Sequence, residues 1–289
     1  MSDALHTTSY LLGLDFVQTT LVACVLLGVL TGVMAPLIVL RQMSFSVHAT
    51  SELALMGASA ALLFGLNVGL GAVAGAVVAA IVLAALGLRG QLDATVGVVM
   101  SFGMGLSVLF IHLYPGNANR ALALLTGQIV GVSGQNVWLL GLTTVIVVGV
   151  VAVLWRPLLF ASVDPVMAAA SGVKVRTMAV LFAVLVGIAA AQSVQIVGAL
   201  LVMSLLITPG AAASQITAHP VRAVWWSVLF AEASAVGGLV LSLAPGVPVS
   251  VFVAFISFGI YLVCRLIRWL TKRLGTQGAP TRKQEKPRT

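Results

Sequence analysis

An all-α bundle of membrane-spanning helices, about eight or nine of them, is the fold this chain predicts. Two observations carry that expectation. Of 289 residues, 60% are hydrophobic and only 8% are charged, whereas a soluble domain carries about 25% charged residues. The apolar residues also come in runs close to the roughly 17–25 residues a crossing needs, broken by Gly, Pro or polar punctuation. Inside lipid such runs satisfy their backbone hydrogen bonds as helices.

The runs fall near 17–40, 50–66, 68–88, 95–114, 136–155, 177–193, 195–213, 222–244 and 249–270. Several are short for a full crossing. The second run, and the closely joined pair around Gln192–Gln195, read as half-helices or tilted pieces supported by neighbours. Between Pro115 and Gly134, the weakly apolar stretch Ala121 to Val130 fits a re-entrant or surface helix. The polar start, Met1 to Thr8, lacks the basic region and cleavage site of a signal peptide, so the first run stays as a span. This gives a polar segment over 1–15, a membrane domain over 16–270 with a long connection at 156–177, and a basic tail over 271–289.

The net charge of +8 is concentrated from Arg265 onward. Arg265, Arg268, Lys272, Arg273, Arg282, Lys283, Lys286 and Arg288 make eight of the fifteen Lys and Arg residues, opposed there only by Glu285. A basic segment directly after an apolar run marks the cytoplasmic side, not a nucleic-acid surface. Its polar, Gly- and Pro-containing end beyond Thr276 is expected to be disordered. Counting back nine crossings puts Arg222, the 156–176 connection, Arg89 and Arg41 inside. The Pro115–Gly134 and Ala244–Val249 loops and the N-terminus then lie outside. Cys24 and Cys264, at opposite ends of the chain, read as small buried hydrophobes, not a disulfide or a zinc cluster.

Small residues recur at helix-packing spacing: Gly28 with Gly32, Gly71 with Gly75, and Gly103 with Gly105. They predict close helix contacts. The chemistry lies elsewhere. His48 and Glu52 are four residues apart, so on a helix they share one face. A charge at the bilayer centre costs about 2.5–3.5 kcal/mol on insertion scales, and intramembrane ionisable residues are functional by default. One imidazole and one carboxylate are half of a divalent-metal site of a kind that suits zinc or manganese. The bland alternative is a pair that satisfies itself. Glu232 lies mid-run, as a second point on a pathway or an interhelical hydrogen-bond partner. His112 is expected at an outer interface and His219 in a solvated turn. Asp93 sits with Arg89 at a helix start, where an acid complements the dipole, and Met203 reads as packing.

In the connection after Arg156, Asp164 is placed to N-cap a helix with Pro165 at its first position and Gly172 to close it. The result is a short amphipathic helix on the cytoplasmic face, followed by Lys174 and Arg176. Such an element is either an ordinary connector or a docking site for a soluble partner.

Three stretches give the chain a family resemblance. Asp164, Ala168 and Gly172 match an Asp-x-x-x-Ala-x-x-x-Gly pattern. Val197-Gly198-Ala199-Leu200-Leu201-Val202, followed by Leu205-Leu206-Ile207-Thr208-Pro209-Gly210-Ala211-Ala212-Ala213, is similar to a Val-Gly-x-Leu-Leu-Val…Leu-Leu-Ile-x-Pro-Ala-Ala run. Asp93-Ala94-Thr95-Val96-Gly97-Val98-Val99-Met100-Ser101 is similar to Asp-Thr-Ala-Ile-Gly-Ile-Val-Phe-Ser. In their order along the chain, with Asp93–Ser101 first, and over about Phe16 to Leu266, they resemble the ABC-3 metal permeases, the membrane subunits of bacterial zinc and manganese import complexes. Family members carry Arg-Arg-Met-Ala, then Asp, then His four residues on. Here Arg41-Gln42-Met43-Ser44 is followed by His48 at the Asp position and Glu52 at the His position, so the two ligand types exchange places.

The resemblance implies a type II importer-like permease bundle in the cytoplasmic membrane, working as a homodimer by alternating access. It implies a separate ATPase docked on Asp164, Ala168, Gly172, Lys174 and Arg176, and an extracellular metal-binding protein that delivers the ion. No cofactor is held permanently; zinc or manganese is the cargo. The chain lacks a Gly-x-x-x-x-Gly-Lys-Ser/Thr loop and a His-Glu-x-x-His helix, so it reads as a transport subunit and not an enzyme. The alternatives are a permease for a metal chelate such as a siderophore or cobalamin, and an ATP-independent secondary metal transporter.

Overall fold

The computed structural model describes residues 13–87, 92–116, 133–198, 202–243 and 248–276. Every regular element among them is a helix: α1 (Asp15–Leu40), α2 (Ser44–Leu63), α3 (Val68–Gly87), α4 (Leu92–Leu113), α5 (Gly134–Val153), α6 (Trp155–Val163), α7 (Pro165–Ala170), α8 (Val175–Val197), α9 (Val202–Leu206), α10 (Thr208–Ile216), α11 (Pro220–Leu243) and α12 (Val249–Thr276). Among the described residues, six are long and apolar enough to cross a membrane: α1, α4, α5, α8, α11 and α12. Two shorter apolar stretches, Val68–Leu83 and Val202–Ile216, lie between them. The serines of α2, with His48 and Glu52, leave it less apolar than these.

Helices that are apolar all round belong at the centre of a bundle. In the most apolar stretch of α1, 67% of residues are buried, and 61% in α8, against 17% in α4 and 22% in both α5 and α12. The core is therefore α1 and α8, where Leu27, Leu30, Met34, Ile38, Phe182 and Ala189 are almost wholly enclosed. The outer helices turn Val98, Phe102, Val145 and Phe255 outward, as lipid tails require.

Close helix contact, as expected from the small residues, fixes the frame. A Cβ on Gly57 of α2 would run into the Gly71 carbonyl of α3 and come within 2.8 Å of the Gly75 Cα. A Cβ on Gly75 would lie 2.6 Å from the Leu53 carbonyl, and one on Gly103 would strike the Leu53 side chain. Backbones this close forbid rotation of α2 about its axis, because any turn brings a side chain into the contact. Gly28 and Gly32 admit α11 in the same way, through Glu232 and Val228. Gly105 faces open space, so the Gly103–Gly105 pair contributes only through Gly103.

The ends of several helices are tied together. Gly210 of α10 packs on Ala35 and Pro36 of α1, Arg41 reaches α6, and Arg268 of α12 donates to Gln215 of α10 at 2.9 Å. These links gather Arg41, Arg268 and the α6–α7 connection at one end of the bundle, in keeping with the charge bias.

Four elements differ from the sequence reading. The second helix starts at Ser44 and not near 50, so His48 lies within it. The expected junction at Gln192–Gln195 is continuous helix. The break comes at Gly198, whose φ of 87° is reserved for glycine, and α9 and α10 follow as two short pieces. The connection from Arg156 is a pair of helices, α6 and α7, where a single short one was expected. Finally, α12 runs on to Thr276, past the expected end near 270. The stretch 121–130, Arg89, the terminal residues 1–12 and the tail 277–289 lie outside the described residues.

Because Gly57 has no room and Gly149 of α5 has nothing within 4 Å of an added Cβ, one substitution should act oppositely at the two sites. Gly57→Ala is expected to destabilise the purified protein by about 1–3 kcal/mol through overpacking. Gly149→Ala should be neutral or stabilising by up to ~1 kcal/mol. Thermal unfolding of both variants in detergent or lipid checks the pair; equal behaviour would contradict the close contact.

Candidate ion pathway and docking helix

The path from α1 into α2 is a tight reversal. Gln42 takes φ 55°, a left-handed conformation unusual for a non-glycine residue. The Gln42 and Met43 amides donate back to the Val39 and Ile38 carbonyls at 3.1 Å each. Helix α2 therefore begins at the end where α1 stops. At 1.5 Å rise per residue, His48 lies about 6 Å, and Glu52 about 12 Å, beyond Ser44.

Both residues are enclosed, and they do not satisfy each other. Glu52 is 3% exposed. His48 is half-buried, and its Nδ1 is enclosed without a hydrogen-bond partner. Among the described residues no hydrogen bond or ion pair joins the two, although the imidazole and the carboxylate interact electrostatically along the shared face. Their neighbours are content within the helix: Thr50 donates to the Ser46 carbonyl and Ser51 to the His48 carbonyl, both at 2.7 Å. The polar capacity left over on α2 thus belongs to the imidazole and the carboxylate, and the glycine contact with α3 fixes where they stand. Among the described residues no three His, Cys, Asp or Glu side chains cluster to hold a metal. One chain supplies two ligand groups here, and a four-coordinate ion would take the others from elsewhere.

Glu232 is not part of that group. It sits in the seam between α11 and α1, with its carboxyl carbon 2.7 Å from where a Gly28 Cβ would be. Its Oε1 is enclosed and without a partner, while the carboxyl also meets the Val29 backbone of α1 across the seam. The expected solvated or peripheral residues are where they were placed: His112 is exposed at the end of α4, and His219 is exposed before Pro220. Met203 is half-buried in α9, as packing requires. The Asp93 side chain lies outside the described residues.

Sequence reasoning passed over Gln192 and Gln195. Gln192 is 2% exposed, and the side-chain nitrogens of both are enclosed without partners. The Gln195 and Asn67 side chains both lie close to Gly69 at the start of α3. Read as punctuation, they ended a helix. Their i,i+3 spacing was the signal that they share a face instead.

The short helix α7 has the expected caps. Asp164 accepts from the Met167 amide at 2.9 Å, with Pro165 at the first turn. At the other end Gly172 takes φ 86°, and Val173 and Gly172 donate to the Ala168 and Ala169 carbonyls at 3.0 and 3.1 Å, a Schellman closure. Ala168 is wholly buried and pins the helix to the bundle, while Val166 and Met167 are 81% and 56% exposed. Lys174 and Arg176 follow, both exposed.

Residues 13–268 match the sequence profile of the ABC 3 transport family. The chain belongs to that family. Among relatives of this ABC 3 member, the manganese transport system membrane protein MntC of Listeria innocua is 29% identical, over 84% of this chain and 90% of that protein. The high-affinity zinc uptake system membrane protein ZnuB of Haemophilus influenzae is 26% identical, over 75% of this chain and 84% of that protein. Among solved structures, PsaBC from Streptococcus pneumoniae in complex with Fab has the same fold, with a TM-score of 0.85 at 21% identity, covering 95% of this chain and 99% of that one. With several spanning helices and membrane transport relatives, the ABC 3 protein is a multi-pass protein of the cell membrane.

The seam between α1 and α11 gives a second stability test. Gly28→Ala should cost about 1–3 kcal/mol by pressing on the Glu232 carboxyl. In a Glu232→Ala background the same change should cost little, since the obstructing atoms are gone. A double-mutant cycle on thermal unfolding reads the coupling; simple additivity would mean that the carboxyl does not occupy the seam.

Proposed function

We propose that this chain is the transmembrane permease of an ATP-driven importer for manganese or zinc, with His48 and Glu52 as transient ligands on the ion's route. The observation that carries this reading is the enclosed, mutually unpaired imidazole and carboxylate on α2. Polar groups kept in the bilayer against a cost of about 2.5–3.5 kcal/mol each call for a use. An ion shedding its hydration shell supplies one. The printed functions of the relatives, manganese for MntC and zinc for ZnuB, agree with a nitrogen–oxygen ligand set, which suits both metals.

Two ligand groups per chain make a homodimer the natural unit, with two copies of α2 contributing two imidazoles and two carboxylates about a shared axis. Glu232, in its separate seam, is at most a further point along the way. Energy comes from a partner ATPase seated on α7. The outward Val166 and Met167 offer that partner an apolar knob, Asp164 and Gly172 hold its shape, and Lys174 and Arg176 add charge beside it. An extracellular metal-binding protein delivers the ion to the opposite face. The bundle then alternates: one arrangement opens α2 to the delivery protein, and the other releases the ion to the cytoplasm.

His48→Ala and Glu52→Ala should each lower uptake of radiolabelled Mn²⁺ or Zn²⁺ into vesicles by at least roughly tenfold to a hundredfold, the range seen when even outer partners of a metal ligand are lost. The complex should still assemble. Unchanged uptake in both variants would remove these residues from the route. At the docking helix, Asp164→Lys removes a cap worth about 1 kcal/mol and Val166→Asp places a charge on the knob. Both should weaken co-purification of the ATPase; full recovery of the partner with both variants would remove α7 from the interface.

A further inference from the structure

The Arg41 side chain joins helix α6 to the core helix α8, at the corner where α1 gives way to α2. Its Nε donates to the Ser162 Oγ at 2.6 Å, and its Nη2 donates to the Leu158 carbonyl at 3.2 Å. Ser162 in turn donates to the same Leu158 carbonyl. The guanidinium lies over the Phe182 ring of α8, 4.3 Å from its centre, and Phe182 is wholly enclosed. No carboxylate pairs with it among the described residues. Burial pushes the group down to about 10, so it keeps its charge at neutral pH.

Position gives these contacts their meaning. Ser162 is two residues before Asp164, so its helix α6 leads directly into the docking helix. Arg41 itself is the first residue after α1, and the next residue, Gln42, carries the left-handed bend that starts α2. A displacement of α7 passes through the short turn at Val163–Asp164 to α6, and from Ser162 and Leu158 of α6 through one hydrogen bond each to Arg41 at the corner that sets the start of α2. His48 stands about one turn beyond the start of α2. A planar fork that binds two acceptors and stacks on a ring has a few discrete arrangements and does not deform continuously, as a lysine at this place would.

We infer that Arg41 is a positioning residue that transmits movement of the ATPase-docked α6–α7 pair to the α1–α2 corner, and so to the ion ligands. This rests on the importer reading above. The consequence is specific: without Arg41, the complex hydrolyses ATP but moves few ions for each one consumed. An anchor that only holds the fold would lower assembly, or lower hydrolysis and transport together.

The test uses the complete complex, with ATPase and metal-binding protein, in proteoliposomes. ATP hydrolysis and uptake of radiolabelled Mn²⁺ or Zn²⁺ are measured on the same preparation, for the wild type, Arg41→Lys, Ser162→Ala, Phe182→Leu and the Arg41→Lys/Ser162→Ala pair. The expected result is normal assembly, retained hydrolysis, and a fall of roughly fivefold or more in ions moved per ATP for Arg41→Lys and Ser162→Ala. Because the two act through one contact, the double variant should be little worse than either single. An unchanged ratio in both singles overturns the inference, as does a proportionate loss of hydrolysis and transport. If Arg41→Lys fails to assemble, Ser162→Ala, which removes only one hydroxyl, decides alone. A wild-type complex that moves neither metal contradicts the importer reading itself, separately from any role of Arg41.

Discussion

The constraint on which the rest depends is the price of polarity inside lipid. Several serine and threonine hydroxyls within helices return to carbonyls one turn back, as at Thr31, Thr50, Ser107 and Ser193, whereas those of Ser227 and Ser257 are buried without a partner. Such bonds let small polar residues ride in apolar helices at little cost. His48, Glu52 and Glu232 have no such escape, because an imidazole or carboxylate cannot be absorbed by its own helix turn. Each must find a partner in the protein, in a neighbouring chain or in a passing ion. The first two stand together on one face of α2, and that sets the proposed route apart from the isolated buried acid Glu232.

The geometry around His48 and Glu52 is held by contacts that carry no chemistry. Glycines 57, 71 and 75 bring α2 and α3 to backbone contact, and Gly103 accepts Leu53 from the other side. Together they set the rotation of α2, and rotation is what aims His48 and Glu52. The left-handed Gln42 sets where α2 begins. Arg41, beside it, ties that corner to the helices exposed at the same end. Packing, bend and guanidinium form one continuous path from an exposed apolar knob at Val166 and Met167 to the two ionisable groups.

Much of this was legible in the sequence, for reasons that differ by element. Helical spans announce themselves because lipid leaves no other way to satisfy a backbone. The caps of α7 were readable because Asp, Pro and Gly each have one favoured place at a helix end, and Asp164, Pro165 and Gly172 occupy them. The i,i+4 spacing of His48 and Glu52 gave a shared face directly. What stayed hidden was mostly tertiary. Gln192 and Gln195 look like a boundary in one dimension, yet α8 carries them inside, because its break falls at Gly198 where only glycine takes the required φ. The Arg41 contacts join residues 117 to 121 positions apart, and no local pattern reveals them. The orphaned Oε1 of Glu232 depends on the lack of a Cβ on Gly28, a pairing that spacing alone cannot give.

Under the proposed function, the ion meets an imidazole and a carboxylate within the membrane. X-ray absorption at the metal edge, on the assembled complex loaded with Zn²⁺ or Mn²⁺, reads that encounter directly. The predicted spectrum has mixed nitrogen and oxygen ligands, with imidazole scattering that disappears in His48→Ala while the wild-type signal of the delivery protein alone is subtracted. A shell of water-like oxygens, the same in wild type and His48→Ala, would contradict it.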